Sequence, residues 1–257
     1  MRARIVSLLE ITGDVGLFGM RAVRDIFRGP FEMEEIGRQI MEIGSRSVPL
    51  IAACGLAIGV VMSLHTRASM VRFGAASMIP AVLTIAMFRE LGPLVTGLLV
   101  SGRVGAGIGA ELAGMRVTEQ IDALESLGVD SFKYLVVTRI AACAVALPVL
   151  TIFMDFMGSA GGLVSEVAVS HSSALLYIHR AFASMDWSDY IPSTLKTIVF
   201  GLLIGTISCF LGYNASHGAT GVGRASTRSV VFSSLVLILI DIILVKLTIF
   251  WFPAQSQ

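Results

Sequence analysis

The sequence predicts an all-α membrane protein, with an N-terminal interfacial helix, five transmembrane helices and a short cytoplasmic helix between spans two and three. Three observations predict it. The 257 residues are 55% hydrophobic and only 14% charged, with a mean hydropathy of +0.82, far more apolar than an ordinary soluble domain. Five runs reach the roughly 20 mostly apolar residues that a helix needs to cross a hydrocarbon layer about 30 Å thick. Finally, Lys and Arg are distributed unequally among the segments that join these runs.

The first 45 residues read as the interfacial region. Between residues 5 and 28, Ile5, Leu8, Ile11, Val15, Phe18, Ala22 and Ile26 recur at helical spacing, with Arg21, Arg24 and Arg28 elsewhere on the same helix. An apolar stripe opposite cations suits a helix lying on a membrane surface, loosened by Gly13, Gly16 and Gly19. Glu10 and Asp14 interrupt the apolar stretch that a cleavable signal would need, so the segment is expected to remain on the protein.

Residues 46–257 read as one five-span domain. The spans are expected at about 47–64, 77–102, 136–163, 191–213 and 230–252, with Pro148 a kink in the third and Trp251 an interfacial aromatic at the end of the fifth. With the N-terminus inside, the cytoplasmic segments hold thirteen cations: Arg2, Arg4, Arg21, Arg24, Arg28, Arg38, Arg46, Arg103, Arg116, Lys133, Arg139, Arg224 and Arg228. The outer segments hold three, Arg67, Arg72 and Arg180. Retention of cations on the cytoplasmic side therefore sets the N-terminus inside and, with five spans, the C-terminus outside.

Several kinds of chemistry are unsupported. The net charge of +1 gives no basic field for nucleic acid. Cys54, Cys143 and Cys209 are isolated in apolar runs and read as small buried thiols. His65, His171, His179 and His217 show no metal-ligand spacing and read as surface or interfacial groups, so no metal is expected. No phosphate-cradling G-x-x-x-x-G-K-[ST] loop occurs. "GAGIGA" at 105–110 matches a nucleotide fingerprint, but follows a membrane span rather than a strand. Gly102, Gly105, Gly107 and Gly109 are instead expected to let helix backbones approach closely in lipid. Neither an enzyme nor a bound cofactor is expected.

Two stretches carry the functional signal. In "RVTEQIDALESLGVDSF", 116–132, Thr118 can cap a helix, Glu119 and Asp122 suit its positive end and Gly128 can end it. Ile121, Leu124 and Leu127 share a stripe, with Glu119, Gln120, Asp122 and Glu125 around it, a surface that a soluble partner can grip. The second signal is charge inside spans. An ionisable group at the bilayer centre costs about 2.5–3.5 kcal/mol on the insertion scale, so Arg89, Glu90, Lys196, Asp241 and Asp155 are expected to face protein or a wet cavity. Helix neighbours point about 100° apart, so Arg89 and Glu90 each need another partner. Lys196 or an arginine of a second subunit is expected to balance Glu90, and a cation of a neighbouring helix to balance Asp241. Static glue between helices is the competing role for these charges.

"RELGPLVTGLLVSGRVGAGIGAELAGMRVTEQIDALESLGVD", 89–130, resembles the signature region of the MlaE/YrbE permease family, membrane subunits of ABC transporters that work with MCE proteins. "ALPVLT" at 146–151, "LKTIVFG" at 195–201, and "GVGRASTRSVVFSSL" at 221–235 followed by Asp241 extend the resemblance. It implies a multi-pass homodimer in the inner membrane, with two copies of a cytoplasmic ATPase docked on a coupling helix, Thr118–Leu127, whose "EQ" is Glu119 and Gln120. It implies a phospholipid cavity at the dimer interface, open to a periplasmic MCE hexamer, with charges corresponding to Arg89, Glu90, Lys196 and Asp241. Two other readings stand beside this one. An ion-driven carrier would use Glu90, Asp155 or Asp241 as a proton relay, and a non-transporting scaffold would merely anchor an envelope complex.

Overall fold

Glu35 shows why the first long helix extends beyond its apolar run. Its carboxylate accepts from Arg38, one turn on, at 2.8 Å and from Gln39 at 2.9 Å, so a polar stretch becomes helical through i,i+3 and i,i+4 pairs. In the computed structural model the helix runs from Met33 to Met70, well beyond the expected 47–64. The structure describes residues 2–27, 32–170, 173–183, 185–215 and 218–251, with side chains from residue 13 onward except those of 249 and 251. Arg28, His171 and His217 lie outside the described residues, as do the side chains of Ile5, Leu8, Ile11 and Trp251.

Among the described residues all regular structure is helical. In chain order the α-helices are α1 Arg2–Ile26, α2 Met33–Met70, α3 Ile79–Ala86, α4 Gly92–Val100, α5 Ala106–Val117, α6 Gln120–Ser126, α7 Thr138–Ser170, α8 Ala174–Ala183, α9 Trp187–Tyr213 and α10 Ala219–Trp251. Wide π-turns at Met87–Leu91, Ser101–Gly105 and Phe132–Val137 join several of them end to end. Five continuous stretches are long and apolar enough to cross a membrane: 33–70, 76–117, 132–170, 187–213 and 219–248. All reach beyond the expected spans at one end or both, because hydropathy finds the apolar centre of a helix and not its polar ends. α7 continues through Pro148. Enclosure by the rest of the chain differs sharply between spans, greatest in the third and least in the fifth.

The chain divides into two compact units. The first comprises Met1–Ile43, Val100–Ala146 and Val199–Leu237, and the second Gly44–Leu99, Leu147–Ile198 and Ile238–Gln257. In the first, small residues set the helix spacing. A Cβ at Gly105 would stand 3.0 Å from Ser208 Oγ, and one at Gly109 would run into Ser229. These two of the four expected packing glycines therefore admit close neighbours, whereas Gly102 and Gly107 meet nothing of the chain within 4 Å. Cys143 and Cys209 are buried free thiols, as the sequence predicts, while Cys54 of the second unit is partly exposed. His65 and His179 are exposed.

In the second unit, Gly55 and Gly59 of α2 form a G-x-x-x-G pair on one helix face. Gly59 lies against the backbone of Gly158, and Gly161 of the same α7 against Leu56 of α2, so side chains at these points would force the helices apart. Beside this crossing, Leu83, Met87 and Phe88 form a buried core with Ile58, Met62, Leu91 and Tyr190 packed on it. Phe88 makes an edge contact with Phe156 at 5.7 Å between ring centres. An ion pair between Arg67 and Glu166 ties α2 to α7.

Candidate functional site

Pro93 has no N–H to give to the Arg89 carbonyl one turn back, which removes an ordinary α-helical bond from the second span. The preceding turn, Met87–Leu91, is a π-turn closed by the Gly92 N–H to the Met87 carbonyl. Such widened turns re-aim side chains and gather at functional sites. This one carries both Arg89 and Glu90.

The two charges find separate partners, all in the second unit. Lys196 of α9 donates to Glu90 Oε2 at 2.9 Å and to Asp241 Oδ1 of α10 at 3.1 Å. The Lys196 side chain is only 4% exposed and that of Asp241 9%, while Glu90 is 40% exposed. The ammonium is thus shared by two carboxylates from two other helices, one deep and one at an opening. Lys196 is the partner expected for Glu90, and also the neighbouring-helix cation expected for Asp241. Arg89 pairs with Asp189, itself buried, and keeps a half-exposed side chain.

Asp189 sits two turns before Lys196 on α9, so both project from one face. Its second oxygen accepts the Asp186 N–H at 3.2 Å, and its own N–H reaches the Asp186 carbonyl at 2.9 Å. The acidic residue therefore closes the first turn of α9 in the manner of a capping box while it anchors Arg89. A cavity of about 510 Å³ opens over these groups, walled by apolar Val82, Ile85 and Val245 and by Arg89, Glu90 and Lys196. Its volume is in the range of pockets that take drug-sized molecules, with few polar groups fixing orientation on greasy walls.

Asp155, also expected to avoid lipid, is 1% exposed and its Oδ1 has no hydrogen-bond partner among the described residues. The carboxylate lies against the bare Cα of Gly92, where any side chain would collide with it.

The helix expected between spans two and three is present, with its start altered. Thr118 does not cap it. Its hydroxyl turns back to the Gly114 carbonyl at 2.9 Å and closes α5 instead. Glu119 adopts the left-handed backbone, φ 59°, which makes the corner, and α6 begins only at Gln120. The other end is as expected: Gly128 has φ 78°, its N–H reaches the Glu125 carbonyl, and the Val129 N–H reaches that of Leu124. That pair of bonds is the glycine-ended helix stop called a Schellman motif. Ile121 is fully buried and anchors α6, so it offers nothing to a partner, whereas Leu127 is 79% exposed. Arg116 steadies the helix through Asp122 at 2.7 Å.

The family described as Permease MlaE matches residues 36–247. The chain belongs to this permease family. A protein described as a probable ABC transporter permease from Rickettsia felis is 38% identical over 95% of the permease and 94% of its own length. One of the same description from Synechocystis is 33% identical over 91% and 86%. A third relative, the chloroplastic protein Trigalactosyldiacylglycerol 1 of Arabidopsis thaliana, is 31% identical over 90% of the permease and 66% of its own length. The permease is thus a non-enzymatic membrane subunit of the ABC type, and ATP hydrolysis belongs to a separate partner.

Sequence reasoning missed three groups in the permease that the fold makes important. Asp189 lies in a polar stretch that reads as a loop, and its only signal is the seven-residue spacing to Lys196. Nothing local to Gly92 announces the carboxylate of Asp155 across from it. Glu166 is visible as an acid but not as the partner of Arg67, 99 residues away.

Proposed function

We propose that the permease binds a phospholipid and moves it between inner and outer membranes when a separate ATPase hydrolyses ATP. It lies in the inner membrane, with its N-terminus cytoplasmic and its C-terminus periplasmic. α1 lies on the cytoplasmic leaflet, and two copies form a homodimer that carries two ATPase subunits on α6 and an MCE hexamer on the periplasmic side. The observation that carries this reading is the half-exposed Arg89 on the rim of an apolar-walled cavity. Acyl chains suit Val82, Ile85 and Val245. A phosphate suits a guanidinium, whose planar fork matches its oxygens. Arg89 is a better headgroup ligand than Lys196, because both carboxylates around Lys196 already hold its ammonium. The name of the Arabidopsis relative, that of a galactolipid, is further support for a lipid substrate.

Native mass spectrometry of the detergent-purified complex tests the reading directly. Two permease copies, two ATPase copies and retained phospholipid are expected. A permease that purifies without ATPase and still transports would overturn the assignment in favour of an ion-driven carrier, and one that retains no lipid would favour a scaffold.

A narrower prediction concerns Arg89. Arg89→Gln should weaken retention of anionic phospholipid roughly tenfold or more, since hydrogen bonds to charged groups contribute about 1.5–3 kcal/mol. Titration with a fluorescent phosphatidylglycerol checks it, and unchanged affinity would remove Arg89 from the headgroup site.

A further inference from the structure

The N-terminal helix is joined to α6 through an aromatic cluster that a mere surface anchor would not need. Phe18 of α1 stands edge-on to Phe132, with ring centres 5.0 Å apart, and to Phe210 of α9 at 5.4 Å, and approaches Tyr213 at 6.4 Å. The Arg21 guanidinium lies 4.1 Å from the centre of the Phe132 ring. Behind Phe18, Ala22 is fully buried, and a Cβ at Gly19 would stand 2.9 Å from the Thr206 methyl group of α9. This end of α1 is thus packed on protein along one face.

The cluster continues into α6 by polar contacts. The Tyr213 hydroxyl reaches Glu125 Oε1 at 3.3 Å, Ser131 donates to the same oxygen at 2.6 Å, and the two hydroxyls are 2.9 Å apart. Glu125 belongs to α6, which buried Ile121, one turn earlier on the same helix face, anchors. All of these residues lie in the first unit. A push on α6 therefore meets a closed chain of contacts, from Glu125 through Tyr213 to Phe18.

From this geometry we infer that Phe18 and Tyr213 are positioning residues for transport, transmitting displacement of α6 to α1 and α9. The inference rests on the reading of α6 as the ATPase-docking helix. It adds that α1 is a working part of the coupling and not only an anchor. Couplings between sites of about 1–3 kcal/mol correspond to about 5- to 150-fold effects.

The test reconstitutes the permease with its ATPase in vesicles of phosphatidylethanolamine and phosphatidylglycerol. It follows ATP hydrolysis and transfer of a fluorescent phospholipid together. Phe18→Ala should keep the ATPase bound and hydrolysis within about twofold, while lipid moved per ATP falls roughly fivefold or more. Phe18→Tyr, which keeps the ring, should restore transfer. Tyr213→Phe, which deletes only the hydroxyl, should lower lipid moved per ATP in the same direction, and it decides the matter should Phe18→Ala fail to fold. Transfer per ATP at the wild-type level in either Phe18→Ala or Tyr213→Phe overturns the relay. So does loss of ATPase binding by Phe18→Ala, which would make α1 part of docking. Failure of the wild-type permease to bind the ATPase is a different result, and strikes the docking assignment of α6 itself.

Discussion

Lys196→Met should abolish transport and destabilise the protein more than any other single substitution in the charged cluster. The change leaves Glu90 and Asp241 facing one another without the cation that both contact at 2.9 and 3.1 Å. Removing one member of a buried ion pair costs about 3–5 kcal/mol, because the remaining charge stays buried and uncompensated. Here two charges are left, one of them only 9% exposed. Glu90→Gln should be milder, since Lys196 keeps Asp241 and the lost carboxylate is 40% exposed and already partly hydrated. The double variant Lys196→Met/Asp241→Asn should regain part of the thermal stability lost by Lys196→Met alone, by removing the more deeply buried anion. Melting of detergent-purified protein and lipid transfer read out the series together. A Lys196→Met protein that melts with the wild type would mean that the two carboxylates do not depend on this ammonium.

Gly92→Ala is the second large effect. The new methyl group would occupy the space now held by the Asp155 carboxylate, and would also come within 3.0 Å of the Met87 carbonyl that closes the π-turn. Overpacking by a single methyl costs about 1–3 kcal/mol, occasionally more. The sum should be at the upper end here, because one obstacle is backbone and the other a carboxylate fixed on a long helix. Removing that obstacle supplies the control: Gly92→Ala/Asp155→Ala should melt closer to Asp155→Ala than Gly92→Ala does to the wild type. Wild-type melting of Gly92→Ala would show that α7 and the second span are further apart than described.

The same residues show how much of the molecule can be read from its sequence. Glu90, Lys196 and Asp241 stood out because a charge within an apolar run is expensive in lipid, and cost of that kind is visible without a fold. Their meeting follows because few other groups could balance them. Asp189 escaped because an acid between spans costs nothing locally, and only the turn of α9 brings it round to Arg89. Thr118 was misread for a related reason. A threonine before an acidic helix has two competing uses, and the preceding helix took its hydroxyl first. Helix ends were placed least well, since Glu35, Arg38 and Gln39 hold a turn together through side-chain bonds that hydropathy cannot register. The π-turn at 87–91 left a trace in Pro93 but no indication of where its side chains would point.

Asp241 belongs to the fifth span, the one least enclosed by the rest of the chain. A Coulomb attraction in a medium of low polarity changes steeply over fractions of an ångström. A shift of that helix would therefore change the pull of Asp241 on the lysine, which Glu90 shares from another helix. Because Lys196 and Val245 of α10 wall the same cavity, a displacement of α10 would alter both its shape and the balance of charge inside it.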